Sequence, residues 1–151
     1  MGANLAYEWT AADYRRLARP NDLVNFELRV KQTDMRVSAE ADLRAEALAL
    51  VLEARAQDER RIARCPEFLR SLVPLDDDRS APAVVAAMLD AARRANVGPM
   101  AAVAGAIAEF VGRGLGAKSP EVIVENGGDL YLCSRHRREL TLLAENTALG
   151  G

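Results

Sequence analysis

The sequence predicts an α+β fold, a largely antiparallel sheet with three helices packed on one face. Three observations lead there. Within LVNFELRVK, residues 24 to 31 alternate between apolar and polar side chains. The middle of the chain carries apolar stripes at helical spacing. β-prone runs return near the end as EVIVE, LYLC and ELTLL. The predicted order is β-β-α-α-α-β-β-β, with strands on both sides of a run of helices.

Residues 1 to 22 read as an N-terminal arm, 23 to 145 as a single α+β domain and 146 to 151 as a tail. Tyr7, Trp9 and Tyr14 are candidate anchors for the arm. Arg19-Pro20-Asn21-Asp22 separates it from the domain. In the first strand Val24, Phe26, Leu28 and Val30 share one face. Asn25, Glu27, Arg29 and Lys31 share the other. Gln32-Thr33-Asp34 turns the chain back, and Met35, Val37 and Ala39 resume the alternation as a hairpin.

Helical spacing predicts the first helix over about 40 to 64. Leu43, Ala47, Leu50, Val51 and Ala54 form its stripe. Glu40 and Asp42 lie near its positive end, and Arg60, Arg61 and Arg64 near its negative end. Pro66 stops it, and EFLRSL adds a short helical turn. Asp76-Asp77-Asp78 reads as a solvated acidic loop, since consecutive carboxylates do not converge on one ion. Ser80 is the expected cap of the second helix, with Pro82 in its first turn. Val85, Met88, Leu89 and Ala92 are its buried stripe.

The third helix is VGPMAAVAGAIAEFVGRGL. Val103, Ile107, Phe110 and Val111 form one side, and Ala101, Gly105, Ala108 and Gly112 another. Glycine inside a helix costs about 1 kcal/mol against alanine, so two of them point to close packing or a ligand. Glu109 is the single charge between Arg94 and Arg113. EVIVE is apolar on both faces, which predicts a central strand. Ser134-Arg135-His136-Arg137-Arg138 then reads as a solvated hairpin tip.

Between the strands lies Glu125-Asn126-Gly127-Gly128-Asp129. One reading is a two-residue hairpin turn with φ > 0 at both glycines. The other is a backbone that meets a ligand, with Asn126 as amide and Glu125 and Asp129 as carboxylates. Such oxygens suit Mg2+ bridged to phosphate.

Composition bounds the partners. The chain has 151 residues, half of them hydrophobic and 28% charged, as expected of a globular domain. A net charge of -2 and 5% aromatics argue against a nucleic-acid surface. The start has no apolar signal region, Ala6 does not fit a myristoylation motif, and no apolar run reaches the roughly 20 residues of a membrane span. With Cys65 and Cys133 far apart, two reduced thiols and a cytoplasmic location are expected. The single histidine, His136, argues against a His-rich metal site or a Ser-His-Asp triad.

The segments VGPMAAVAGAIAEFVG (97 to 112) and EVIVENGGDLYL (121 to 132) resemble the signature of an uncharacterised prokaryotic family. That family is distantly related to the ApbE-type FAD:protein FMN transferases. RPNDLVNFELRVKQTDMRVSA, ERRIARCPEFLRSLVPL and APAVVAAMLDAARRANVGPM extend the resemblance over nearly all of residues 14 to 143. The transferases place a Lys-Gly pair in a helix, an Asp four residues after that Gly, and later Asn-Gly-Gly-Asp. Gly105, Glu109 and Asn126 to Asp129 occupy those positions here, while Ala104 replaces the lysine.

The resemblance implies an ApbE-like, T-fold-like architecture and a transferase-like chemistry of flavin or nucleotidyl transfer. It implies cofactor contacts at Gly105, Asn126, Gly127 and Gly128, with Glu109 and Asp129 as metal ligands or bases. Gly98 joins the expected cofactor site because it opens the third helix, whose N-terminus attracts phosphate. FAD and Mg2+ are the implied cofactors, a small molecule or nucleotide the implied partner, with no nucleic acid and no membrane. It also implies a further Gly/Ser-rich segment and more strands, not found before Gly151, so either a truncated product or a fragment is expected. A sheet left short in this way exposes edges, so a homo-oligomer is expected. The alternative is a non-catalytic oligomeric or structural domain that keeps the fold without the chemistry.

Overall fold

The computed structural model describes residue 20, residues 22–76, residue 78 and residues 80–139. The N-terminal arm apart from Pro20 and Asp22, the strand expected at 139 to 143 apart from Glu139, and the tail lie outside the described residues.

Two strands, β1 (Val24–Val30) and β2 (Thr33–Ala39), open the domain. Helices α1 (Arg44–Arg64), α2 (Glu67–Arg70) and α3 (Ala83–Ala95) follow. A 3-10 turn (Pro99–Ala102) leads into α4 (Val103–Gly116), and β3 (Val122–Asn126) and β4 (Asp129–Cys133) close it. The α+β class and this order agree with the sequence reading. The sheet is open, antiparallel throughout, and ordered β1-β2-β3-β4.

Strand register explains the two faces. Phe26 lies opposite Val37, Val37 opposite Val124, and Val124 opposite Tyr131. This row faces the helices. Glu27, Arg36, Glu125 and Leu130 form the neighbouring row, on the opposite face. Central position fits β3, whose pattern carries buried Val122, Val124 and Asn126 on the helix side. Helix α4 packs on β3 and β4, and α1 packs on β1. Met35, Val51, Phe68, Met88, Val111 and Val124 are fully buried. Burial of each such side chain contributes about 1.5–3 kcal/mol.

Three local expectations are corrected. The β1–β2 turn sits one residue earlier, at Lys31-Gln32, because Thr33 pairs with Val30 and joins β2. Lys31 takes φ +51°, and Thr33 turns inward, where its hydroxyl accepts from Arg55 at 2.8 Å. Helix α1 begins at Arg44, with the Asp42 carboxylate ahead of it accepting from the Arg44 N–H. Ser80 does not cap α3, since the helix starts at Ala83 after an extended Pro82. Buried Gln57 of α1 does the capping instead, accepting from the Val84 N–H at 3.0 Å. Ser80 donates to Asp78, which also pairs with Arg61 at 2.8 Å. Asp76 is exposed and Asp77 lies outside the described residues.

Asn96, in the left-handed region, ends α3. Gly98 follows it, and the chain there runs hard against the backbone after α2. A Cβ on Gly98 would sit 1.8 Å from the Ser71 carbonyl oxygen, so only glycine fits. This contact fixes where α4 enters the sheet layer.

Candidate functional site

The β3–β4 turn is the two-residue hairpin that its glycines allow. Gly127 has φ +60° and Gly128 φ +97°. A Cβ on Gly128 would meet nothing within 4 Å, so its glycine answers to the dihedral rather than to space. The Gly128 N–H already donates to Glu125 Oε1 at 2.9 Å. Asn126 is buried, and its Nδ2 donates to the Ala104 carbonyl at 2.9 Å. The Asn126 bond docks the turn on the first turn of α4, and the Gly128 bond closes the turn on its own strand. Asn126 and Gly128 thus hold the site in place from the protein side.

The docking sets Asp129 over Gly105. The Asp129 carboxylate lies 3.5 Å from where a Cβ on Gly105 would stand. One helical turn further on, Glu109 accepts from Arg113 at 2.8 Å. Gly105, Glu109 and Asp129 line one cleft of about 530 Å3 between α3, α4 and β4, the last strand of the sheet among the described residues. That volume lies within the range of small-molecule sites. Ala87, Ala91, Ala102 and Ala106 smooth its walls, and Asp90 and Arg94 rise from α3. Asp90 is held by Arg93 at 2.6 Å and by Arg94 at 3.2 Å. Asp129 makes no ion pair and no side-chain hydrogen bond among the described residues.

The expected site residues therefore separate. Gly105, Glu109 and Asp129 share the cleft. Gly98 is buried against Ser71, away from it. Gly127 and Gly128 are exposed at the turn and do not line it. Among the described residues, no three His, Cys, Asp or Glu side chains group into an all-protein metal site. Three carboxylates line the cleft, Asp90, Glu109 and Asp129, and the first two are paired with arginines of their own helices. Carboxylate oxygens are the donors Mg2+ takes from a protein when phosphate and water supply the rest, and Glu109 and Asp129 are the residues that would hold it.

Sequence reasoning missed Asp90, Arg94 and Tyr131. The signal was there for two of them. Ala87, Ala91 and Arg94 follow helical spacing along one face of α3, and Tyr131 lies two residues past Asp129 on the same face of β4. The Tyr131 ring rests on Gly112, where a Cβ would stand 2.0 Å from Cδ1. Burial pushes its hydroxyl up, and the neighbouring Cys133 thiol adds to the effect, so the phenol stays protonated. Cys65 and Cys133 are both free thiols.

The segment 134 to 138 is only partly the solvated tip expected of it. Arg135, His136 and Arg137 are exposed. Arg138 instead turns inward to Glu121 at 2.9 Å and Asp22 at 2.7 Å. Ser134 donates to Glu121, and the Arg135 N–H does the same at 2.6 Å. The Ser134 bond is the strongest cause that holds this buried carboxyl at about 2, with Arg135 and Arg138 adding to it.

The model of the family described as AbpE bacteria matches residues 15–151. The chain belongs to this family. It is 43% identical over 102 residues to a UPF0280 protein of Methanocaldococcus jannaschii, covering 68% of this chain and 41% of that protein. It is 38% identical over 107 residues to a UPF0280 protein of Methanopyrus kandleri, covering 70% and 43%. A UPF0280 protein of Methanothermobacter thermautotrophicus is 36% identical over 120 residues, covering 78% and 46%. The chain spans less than half the length of these curated relatives.

Proposed function

We propose that this member of the AbpE bacteria family carries part of a binding site for a phosphate-bearing nucleotide. FAD is the first candidate, with Mg2+ at Glu109 and Asp129. One observation carries the reading: Glu109 of α4 and Asp129 of β4 converge on a single cleft floored by Gly105. An exposed carboxylate with no partner among the described residues, Asp129, is suited to a metal that keeps its waters and bridges to phosphate. Bound Mg2+ would neutralise phosphate charge there. The resemblance of Gly105, Glu109 and Asn126 to Asp129 to the ApbE-type transferase pattern supports the ligand class. Ala104, where those transferases have lysine, confines the proposal to binding and leaves flavin transfer outside it.

A scaffold role is the second reading. The exposure of Leu130 and Leu132 on the open sheet face, at 44% and 39%, favours it. In that role the domain associates, as a homo-oligomer, without chemistry.

Calorimetric titration with FAD, with and without Mg2+, separates the two. Saturable binding that needs Mg2+ and weakens at least tenfold in Asp129→Asn is the expected result. No heat at millimolar FAD with Mg2+ present would leave the scaffold reading, to be checked by light scattering.

A further inference from the structure

Tyr131 is the one aromatic side chain among the described residues that line the cleft. Its position depends on Gly112. A Cβ there would stand 2.0 Å from Cδ1, 2.3 Å from Cε1 and 2.8 Å from Cγ of the ring. No flexible chain end is involved, so an alanine would drive the ring off the helix. With glycine, one side of the ring is pressed to the α4 backbone and the rest contributes to the cleft wall. Alanines of α3 and α4 form much of the remaining wall, with Asp90, Arg94, Glu109 and Leu130 completing it. The cleft thus offers a π surface beside apolar and charged groups, a combination that suits a flat ring bearing a charged tail.

A second geometric relation links this wall to the carboxylate end. Asp129 sits over Gly105 and Tyr131 over Gly112. The two β4 residues point to the same side and are separated by about 7 Å along the strand. A pentose and its ester link span that kind of distance between an aromatic ring and a phosphate. Glu109 lies on α4 between the two glycines, with its charge already held by Arg113.

We infer that Tyr131, seated on Gly112, is the specificity-determining residue of the cleft, selecting a phosphate-bearing ligand that carries an aromatic ring. This rests on the nucleotide reading proposed above. Tyr131 binds the ring by stacking, Asp129 serves the phosphate end, and Gly112 is a positioning residue that acts only through the tyrosine. Stacking of a base on an aromatic side chain is a sequence-tolerant contact, so the ring end is recognised as a π face rather than through its edge groups.

The test uses two probes on the full chain with Mg2+: FAD, which has rings, and inorganic pyrophosphate, which has none. Tyr131→Leu is expected to weaken FAD roughly tenfold or more and to leave pyrophosphate binding unchanged. Tyr131→Phe keeps FAD binding near the wild-type value, and Gly112→Ala behaves like Tyr131→Leu. Should the leucine variant lose its fold by circular dichroism, nuclear Overhauser contacts between FAD ring protons and the Tyr131 ring in the wild-type complex decide the matter. Their presence supports the assignment, and their absence at saturation overturns it. Unchanged FAD affinity in a folded Tyr131→Leu, with binding still lost in Asp129→Asn, overturns the tyrosine assignment alone. Wild-type chain that binds neither probe overturns the nucleotide reading and this inference together.

Discussion

The β3–β4 hairpin carries polar residues at both ends, and they are used in opposite ways. At its open end Glu121, Ser134, the Arg135 N–H and Arg138 bond to one another, and Arg138 reaches on to Asp22. Glu121 is buried there and its carboxyl is held at about 2. At its closed end Asn126 and Gly128 bond to the protein, but Asp129 is left open beside Glu109 in the cleft. A buried charge must be paired within the fold, because an unpaired one is costly. An exposed carboxylate in a concave site has no such demand and remains available to a ligand. The strongly perturbed group is therefore the structural one, and the candidate functional group is the one without a partner among the described residues.

The largest effect on stability is expected at the open end. Glu121→Gln removes the carboxylate that faces Ser134, the Arg135 N–H and Arg138. It should lower the thermal midpoint more than Gly98→Ala, Asn126→Ala or Asp129→Asn. It should also change the acid limb. The folded carboxyl sits at about 2 against an ordinary 4.5, so the native state favours its charged form. Its contribution is complete above about 4.5 and is lost as pH falls from there through about 2. Stability measured over that window should flatten in the variant. An unchanged pH profile would show that the network contributes nothing to folding.

Gly98→Ala comes next. The new methyl would meet the Ser71 carbonyl, which cannot swing aside as a side-chain tip can. Overpacking of this kind costs about 1–3 kcal/mol, readable as a lower urea midpoint. A wild-type midpoint would show that the α2–α3 loop yields freely. Asn126→Ala should cost about 1 kcal/mol, the usual net value of a hydrogen bond. It also unties the turn from α4, so Mg2+-dependent FAD binding should weaken although Asn126 does not line the cleft. Loss of stability without loss of binding would confine Asn126 to the fold.

Asp129→Asn is the smallest in stability, within about 0.5 kcal/mol of wild type, because the carboxylate is exposed and makes no ion pair among the described residues. Its expected effect is instead on Mg2+-dependent FAD binding, read by calorimetry. A large fall in stability here would erase the contrast between the two ends and return Asp129 to a structural role.

Much of this was legible in the chain itself. Alternation from Val24 to Val30, the stripe of Val85, Met88, Leu89 and Ala92, and the double glycine at 127 and 128 predicted the strands, a helix and the turn. These signals are local: each depends on which face of one element a side chain takes, and that repeats every two or every 3.6 residues. Gly105, Glu109 and Asp129 were marked as candidates from composition and resemblance, though nothing local could say that they share a cleft. What the tertiary structure alone decided is contact between distant residues. Gln57 caps α3 across 27 positions of sequence, and Arg138 finds Asp22 across 116. Gly98 is glycine because of Ser71, and Gly112 because of Tyr131. Such partners are chosen when whole elements pack against each other, and no period within a single helix or strand carries that information.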